Sequence, residues 1–198
     1  MKKVLWMVCA CGMLMISCSQ ANSKHDEKEA KEPFKRGPVK SSWDTPVIKN
    51  YGKEHYLPGA AVQPDTSLDY KVVFSITEYA DKTQPNEGLV HMARLINLLG
   101  AAGVSPDKMD IVAVITGPAT FATLADSTYK SMYDVDNPND KLLDELKRDG
   151  HARILVCGQA VTGAGYDERY LNPNVEMALS AVVAVPTYEL KGYALLNF

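Results

Sequence analysis

The sequence predicts an α/β domain with a mostly parallel sheet and helices on both faces. Three observations lead there. Short runs rich in β-branched and aliphatic residues recur between residues 70 and 198, each the length of a strand buried on both faces. Between them lie stretches with apolar residues at helical spacing. Glycine and proline mark the changeovers, giving a βαβ rhythm. Hydrophobic residues make up 46% and charged residues 23% of the 198, ordinary globular values that exclude collagen, a long coiled coil or full-length disorder. A formal net charge of −3 supplies no basic face for nucleic acid, and four cysteines are too few for a disulfide-stapled scaffold.

The elements follow in order. Lys71-Val72-Val73-Phe74-Ser75-Ile76 reads as the first buried strand. Pro85 suits a first helical turn; Leu89, Met92, Ala93, Ile96 and Leu99 follow at helical spacing, and Gly100 and Gly103 end the helix. Asp110 to Thr116 is the second strand, stopped by Gly117-Pro118. A short helix is expected over Ala119 to Leu124 and a loop over Asp126 to Asn137. Pro138 or Asn139 opens the next helix, with Leu142, Leu143 and Leu146 inward and Gly150 closing it. Arg153 to Cys157 is the third strand, and Gly158 begins a helical stretch to about Gly165. Val175 to Ala178 is a short fourth strand. Ser180 caps a helix to about Leu190 that Pro186 is expected to kink or divide, and Tyr193 to Leu196 form the fifth strand.

The residues before the domain carry a different message. Lys2 and Lys3 precede an apolar run from Val4 to Ile16, followed by Ser17 and Cys18. This is the layout of a secretory signal, too short to span a bilayer as an ordinary helix. Leu14-Met15-Ile16-Ser17-Cys18 resembles a bacterial lipobox, so residues 1–17 are expected to be removed and Cys18 to carry lipid. Residues 18–40 are polar and mixed in charge, a flexible tether that cannot bury enough surface to order itself. Residues 41–69 hold Trp43, Tyr51, Tyr56 and three prolines without a period, and read as an extended arm packing on the domain. Lipid plus tether implies anchoring to a membrane surface in a bacterial envelope. Ser19 fits outer-membrane sorting by resemblance to other lipoproteins, with the side faced left open.

Cleavage removes Cys9 and Cys11, and lipid occupies Cys18, so one thiol is left in the folded part, Cys157. It stands where a strand ends and a helix begins. A free thiol titrates at about 8.5, and a helix amino terminus lowers that to roughly 3.5–7.5. The amides of Gly158, Gln159 and Ala160 are therefore candidate thiolate stabilisers, and Gly158 would let another molecule approach closely. Ligands of open α/β sheets bind where strand order reverses. With a flavodoxin-like order that point falls between the first and third strands, bringing Thr77, Glu78, Tyr79 and Gly117 into one crevice with Cys157. The competing reading is a buried structural cysteine, since free cysteine is among the most buried residue types. Glu87 and His91, four apart on one helix, are too few for a metal site and read as a surface pair. Gly158 to Gly165 lacks the spacing of a nucleotide-binding loop, so neither metal nor cofactor is expected. Tyr129, Tyr133, Tyr166 and Tyr170 are expected at a pocket rim or, preferably, an oligomer interface.

A resemblance adds to this. Ile154-Leu155-Val156-Cys157-Gly158-Gln159-Ala160, then Gly163 and Asn172-Pro173-Asn174-Val175, is similar to the cysteine segment of the DsrE/DsrF-like family. Asn137-Pro138-Asn139 with Leu142, Leu143 and Leu146 resembles the helix before it. Ala178-Leu179-Ser180-Ala181 and Lys191-Gly192-Tyr193-Ala194 also fit, and Val72-Val73-Phe74, Arg94, Asn97 and Leu98 match more loosely. The match runs from about Tyr70 to Phe198. It implies a five-stranded flavodoxin-like sheet, homo-oligomers such as trimers or hexamers, and in some members a persulfide-carrying cysteine in a sulfur relay, with Cys157 at that position. The expected function is an envelope-anchored sulfane-sulfur carrier or sulfurtransferase-type relay protein with a protein donor or acceptor. The alternative is a non-catalytic oligomeric binding or assembly module with a structural cysteine. Redox sensing through intermolecular Cys157 pairing ranks third.

Overall fold

The computed structural model describes residues 42–198. The expected signal segment (1–17), lipidation at Cys18 and tether (18–40) fall outside the described residues. From residue 70 the chain runs β1 (Tyr70–Ile76), α1 (Glu87–Ala101), β2 (Met109–Ile115), α2 (Asp126–Tyr133), α3 (Asp140–Arg148), β3 (Arg153–Cys157), α4 (Gly158–Gly163), β4 (Glu176–Ala178), α5 (Ala181–Leu190) and β5 (Ala194–Asn197). A 3-10 segment, Gly117–Thr123, follows β2. The five strands form one sheet in the order β4-β3-β2-β1-β5. Every neighbouring pair is parallel, with Val73 opposite both Val112 and Leu195, Val112 opposite Arg153, and Leu155 opposite Glu176.

Alternation along the strands divides the core in two, because successive side chains point to opposite faces. Phe74, Ile76, Ile111, Ile115, Ile154 and Val156 pack with Leu89, Met92 and Ile96 of α1 and with Leu142, Leu143 and Leu146 of α3. Val73, Val112, Val114, Leu155 and Cys157 lie on the other face beneath Ala181 and Tyr188 of α5. Sheet and helices on both faces thus match the fold class read from the sequence. Among the described residues, no helix is long and apolar enough to cross a membrane.

Three expectations change. The loop expected at Asp126–Asn137 contains α2, which buries Tyr129 alone of its eight residues. A helix with one core residue has no apolar period to read. Pro186 does not divide α5. The carbonyl that loses its amide partner belongs to Val182, whose residue is 83% exposed and open to water. Thr187 also donates its hydroxyl to Val183 O at 2.7 Å, supporting the same turn. The third change is strand order: β2 lies between β1 and β3, so the tips of β1 and β3 are not neighbours. The chain steps from β1 through β2 and β3 to β4, then crosses back, so the order reverses between β1 and β5.

Buried asparagines tie the connections together. Asn86 caps α1 by accepting from Leu89 N at 3.2 Å. Asn139 accepts from Asn86 N at 2.7 Å and donates to the Tyr79 hydroxyl at 2.7 Å. Asn137 donates to Ala122 O and Leu124 O. Residues 42–69 contain one isolated antiparallel bridge, between Asp44 and Glu54. Ile48 is fully buried in the α1/α3 core. Asn97 of α1, also fully buried, accepts from Val47 N and Ile48 N and donates to Tyr51 O and Gly52 O.

Candidate functional site

Cys157 ends β3 with its side chain on the α5 face, and it is 4% exposed. Parallel register brings neighbours to it from three segments. The pairing of Ile115 with Val156 sets Thr116 level with Cys157 on one side. Ala178 pairs with Cys157 on the other. The chain then turns through Leu179 and Ser180 into α5, carrying the Ser180 hydroxyl to 3.9 Å from Sγ. Ser180 Oγ accepts from Val182 N at 3.3 Å as the α5 cap and from the Cys157 thiol, and its own proton turns to the sulfur only once the thiol has ionised.

Burial pushes the Cys157 thiol up. Hydrogen bonds from the amides of Ala181 and Ala160 and the hydroxyls of Thr116 and Ser180 outweigh it, and the thiol is held below its ordinary value. These partners are amide and hydroxyl dipoles, which favour the anion by hydrogen bonding. Because the thiolate is the reactive form, these partners make Cys157 a candidate nucleophile although it also packs against Val73, Val112, Val114 and Leu155.

The sequence named some of these donors and missed others. Of the amides of Gly158, Gln159 and Ala160, only that of Ala160 is among the bonds to the sulfur. Gly158 is a glycine for packing: an added Cβ would lie 2.9 Å from Ala178 O and 3.1 Å from Met177 Sδ, so the backbone of β4 fills the space expected to admit another molecule. Gln159 reaches across instead, donating Nε2 to Leu179 O at 3.3 Å. A cavity of about 380 Å3 beside this bond is lined by Gly158, Gln159, Thr162, Met177 and Leu179, and Cys157 does not line it. Thr116, Ser180 and Ala181 escaped the sequence reading as sulfur partners. The signals were present, a strand-end threonine and a helix-cap serine, but strand adjacency was needed to connect them to Cys157.

The remaining crevice residues separate from the thiol. Thr77 and Gly117 do meet: Gly117 adopts φ +57°, and an added Cβ would sit 3.3 Å from Thr77 O. Thr77 N donates to Phe198 O at 2.8 Å, toward β5 and away from β3. Glu78 and Tyr79 line a different cavity, about 420 Å3, at the reversal between β1 and β5, together with Asp81, Glu87, His91 and Phe198. The Tyr79 hydroxyl donates to Gln84 O at 3.1 Å and pairs with the Tyr129 hydroxyl at 2.9 Å, which fixes the loop after β1. Tyr129 is therefore core and not a rim; Tyr133 stacks against it, while Tyr166 and Tyr170 pack edge to face. His91 stacks on Phe198 at 4.8 Å. Among the described residues, no three His, Cys, Asp or Glu side chains are grouped to hold a metal ion.

The profile of the DsrE/DsrF-like family matches residues 71–198, more than half of the chain. No curated protein matches. A solved protein of unknown function, MTH1491 from Methanobacterium thermoautotrophicum, is similar in fold, with a TM-score of 0.51 and 22% identity over 66% of this chain and 100% of that one. The ychN protein from E. coli matches with a TM-score of 0.47 and 16% identity over 65% of this chain and 99% of that one. Cys157 and the asparagine-rich turns lie inside the matched span, and on its extent this chain belongs to the DsrE/DsrF-like family.

Proposed function

We propose that Cys157 is a sulfane-sulfur carrier. The observation that carries this reading is a strand-end thiol with the Ser180 hydroxyl 3.9 Å from Sγ, held below its ordinary pKa by the amides of Ala181 and Ala160 and the hydroxyls of Thr116 and Ser180. In the transfer, the Cys157 thiolate attacks the outer sulfur of a polysulfide or persulfide donor. An Sγ–S bond forms, the donor's S–S bond breaks, and its electron pair leaves on the donor thiolate, which takes up a proton. Cys157 sulfur is oxidised and the donor sulfur reduced, so no further oxidant is required. The amides of Ala160 and Ala181 and the two hydroxyls would stabilise the attacking anion and afterwards the persulfide it carries.

Membrane anchoring through a lipidated Cys18, an envelope location at the outer membrane and assembly into trimers or hexamers complete the proposal. Labelled fatty acid should enter the protein in bacterial cells and be absent from Cys18→Ala.

Intact mass after polysulfide treatment tests the chemistry, with peptide mapping because the full chain also holds Cys9, Cys11 and Cys18. One added sulfur on the Cys157 peptide, removed by reductant and absent in Cys157→Ser, is expected. An unmodified Cys157 peptide at all doses overturns the reading. The second reading, an assembly module with a structural cysteine, is favoured by the 4% exposure of Cys157 and its packing with Val73, Val112, Val114 and Leu155.

A further inference from the structure

Residues 55–64 do not settle onto the helix beneath them. This segment is fastened on either side: Arg94 Nε donates to Lys53 O at 3.0 Å, and Lys108 Nζ donates to Thr66 O at 2.9 Å and Ser67 O at 3.1 Å. Its middle is braced internally. Gln63 Nε2 donates to Leu57 O at 2.8 Å and Ala60 O at 3.0 Å, and the Tyr56 hydroxyl donates to Gln63 Oε1 at 2.9 Å. A loop held in this way keeps its shape without collapsing on its neighbour. Beneath it a cavity of about 520 Å3 separates Tyr56, Leu57 and Val62 from Leu95, Leu98 and Leu99 of α1 and its C-terminal turn.

We propose that this cavity binds a small, uncharged, apolar organic molecule. Its volume falls within the range of roughly 300–1,000 Å3 found for small-molecule sites. No Asp, Glu, Lys or Arg lines it, and its one imidazole, His55, has Nδ1 3.1 Å from Ser42 O. The polar ends of Tyr56 and Gln63 are already committed to each other and to the loop backbone. A charged ligand would lose its hydration with only the His55 ring as a partner in return, whereas an apolar one would cover leucine surface now facing the void. One wall comes from residues before 71, outside the span matched by the family profile, so the site belongs to this chain's own extension. It is independent of Cys157.

The test titrates the full chain with the neutral fluorophore N-phenyl-1-naphthylamine, excited directly. One saturable component per chain is expected. Ala60→Trp places an indole in the cavity from an exposed position of the loop, and Leu98→Gln makes the opposite wall polar. Each should weaken that component at least about tenfold, with far-ultraviolet dichroism confirming that both remain folded. Ser127→Asp, at an exposed position of α2 away from the cavity, should bind as the parent does. No saturable component, unaltered binding by both cavity variants, or loss confined to Ser127→Asp would each overturn the proposal. So would binding that appears only as sedimentation shows dimers dissociating, because a second copy would then be the occupant.

Discussion

Burial raises the pKa of both Cys157 and Glu54, yet the two groups finish on opposite sides of their ordinary values. At Cys157 four donors reverse the effect. Its ionisation therefore favours the folded state as pH rises past the lowered pKa, a contribution lost as pH falls back through it. Alkylation of the Cys157 peptide against pH should show a midpoint below the usual thiol value of about 8.5. Thr116→Val combined with Ser180→Ala should move that midpoint upward. An unchanged profile would mean that the hydroxyls do not stabilise the anion. Glu54 is 4% exposed and its Oε2 has no hydrogen-bond partner. Burial first, then the nearby Asp44, raises its carboxyl, with His55 opposing. A raised carboxyl favours folding below the unfolded value of about 4.3 and withdraws that support as pH rises through the folded value. Glu54→Gln should accordingly stabilise the protein at neutral pH by about 1 kcal/mol and flatten the pH dependence, as read by denaturant melts at several pH values.

At the scale of elements, helix α1 does two jobs. Its apolar stripe packs on the sheet, while Asn97 bonds five backbone groups of residues 47–52. Asn97→Ala would leave several of those groups unpaired in a buried place. The expected loss is about 3 kcal/mol, with faster proteolysis between residues 42 and 55 before the sheet is attacked. Cleavage at the parental rate would contradict this role. The stripe of α1 was legible because Leu89, Met92, Ala93, Ile96 and Leu99 recur at helical spacing, and β3 was legible to its last residue because Ile154-Leu155-Val156 is continuously apolar between Arg153 and Gly158. Helix α2 was not, since its stability comes from one tyrosine whose hydroxyl meets Tyr79 fifty positions earlier. The four-donor ring was likewise hidden: the sequence gives no local sign that Thr116 and Ser180 flank the same sulfur, a fact that depends on which strands lie side by side.

On the scale of the whole molecule, the sheet carries its two sides unequally. The α1 and α3 face is closed by a deep leucine and isoleucine core. The outer side of α5 leaves Val182, Val183 and Leu190 exposed, at 83%, 50% and 90%, next to Leu179 at 73%. Such an apolar surface is where the proposed homo-oligomer would form. Val183→Asp with Leu190→Glu should shift the sedimentation coefficient of the full chain to that of a monomer. A parent protein already monomeric at high concentration would defeat the oligomer proposal.

Strand β1 pairs with β2 on one flank and with β5 on the other, so Val73 faces a partner about forty residues ahead and another more than one hundred and twenty ahead. Along the chain, the first partner comes early and the second only near the C-terminal end. Until then the nascent chain displays an unpaired strand edge at what will become the interior of the sheet. Closing that edge is a long-range search that slows folding, and an edge left open until β5 is made is a place where chains misassociate.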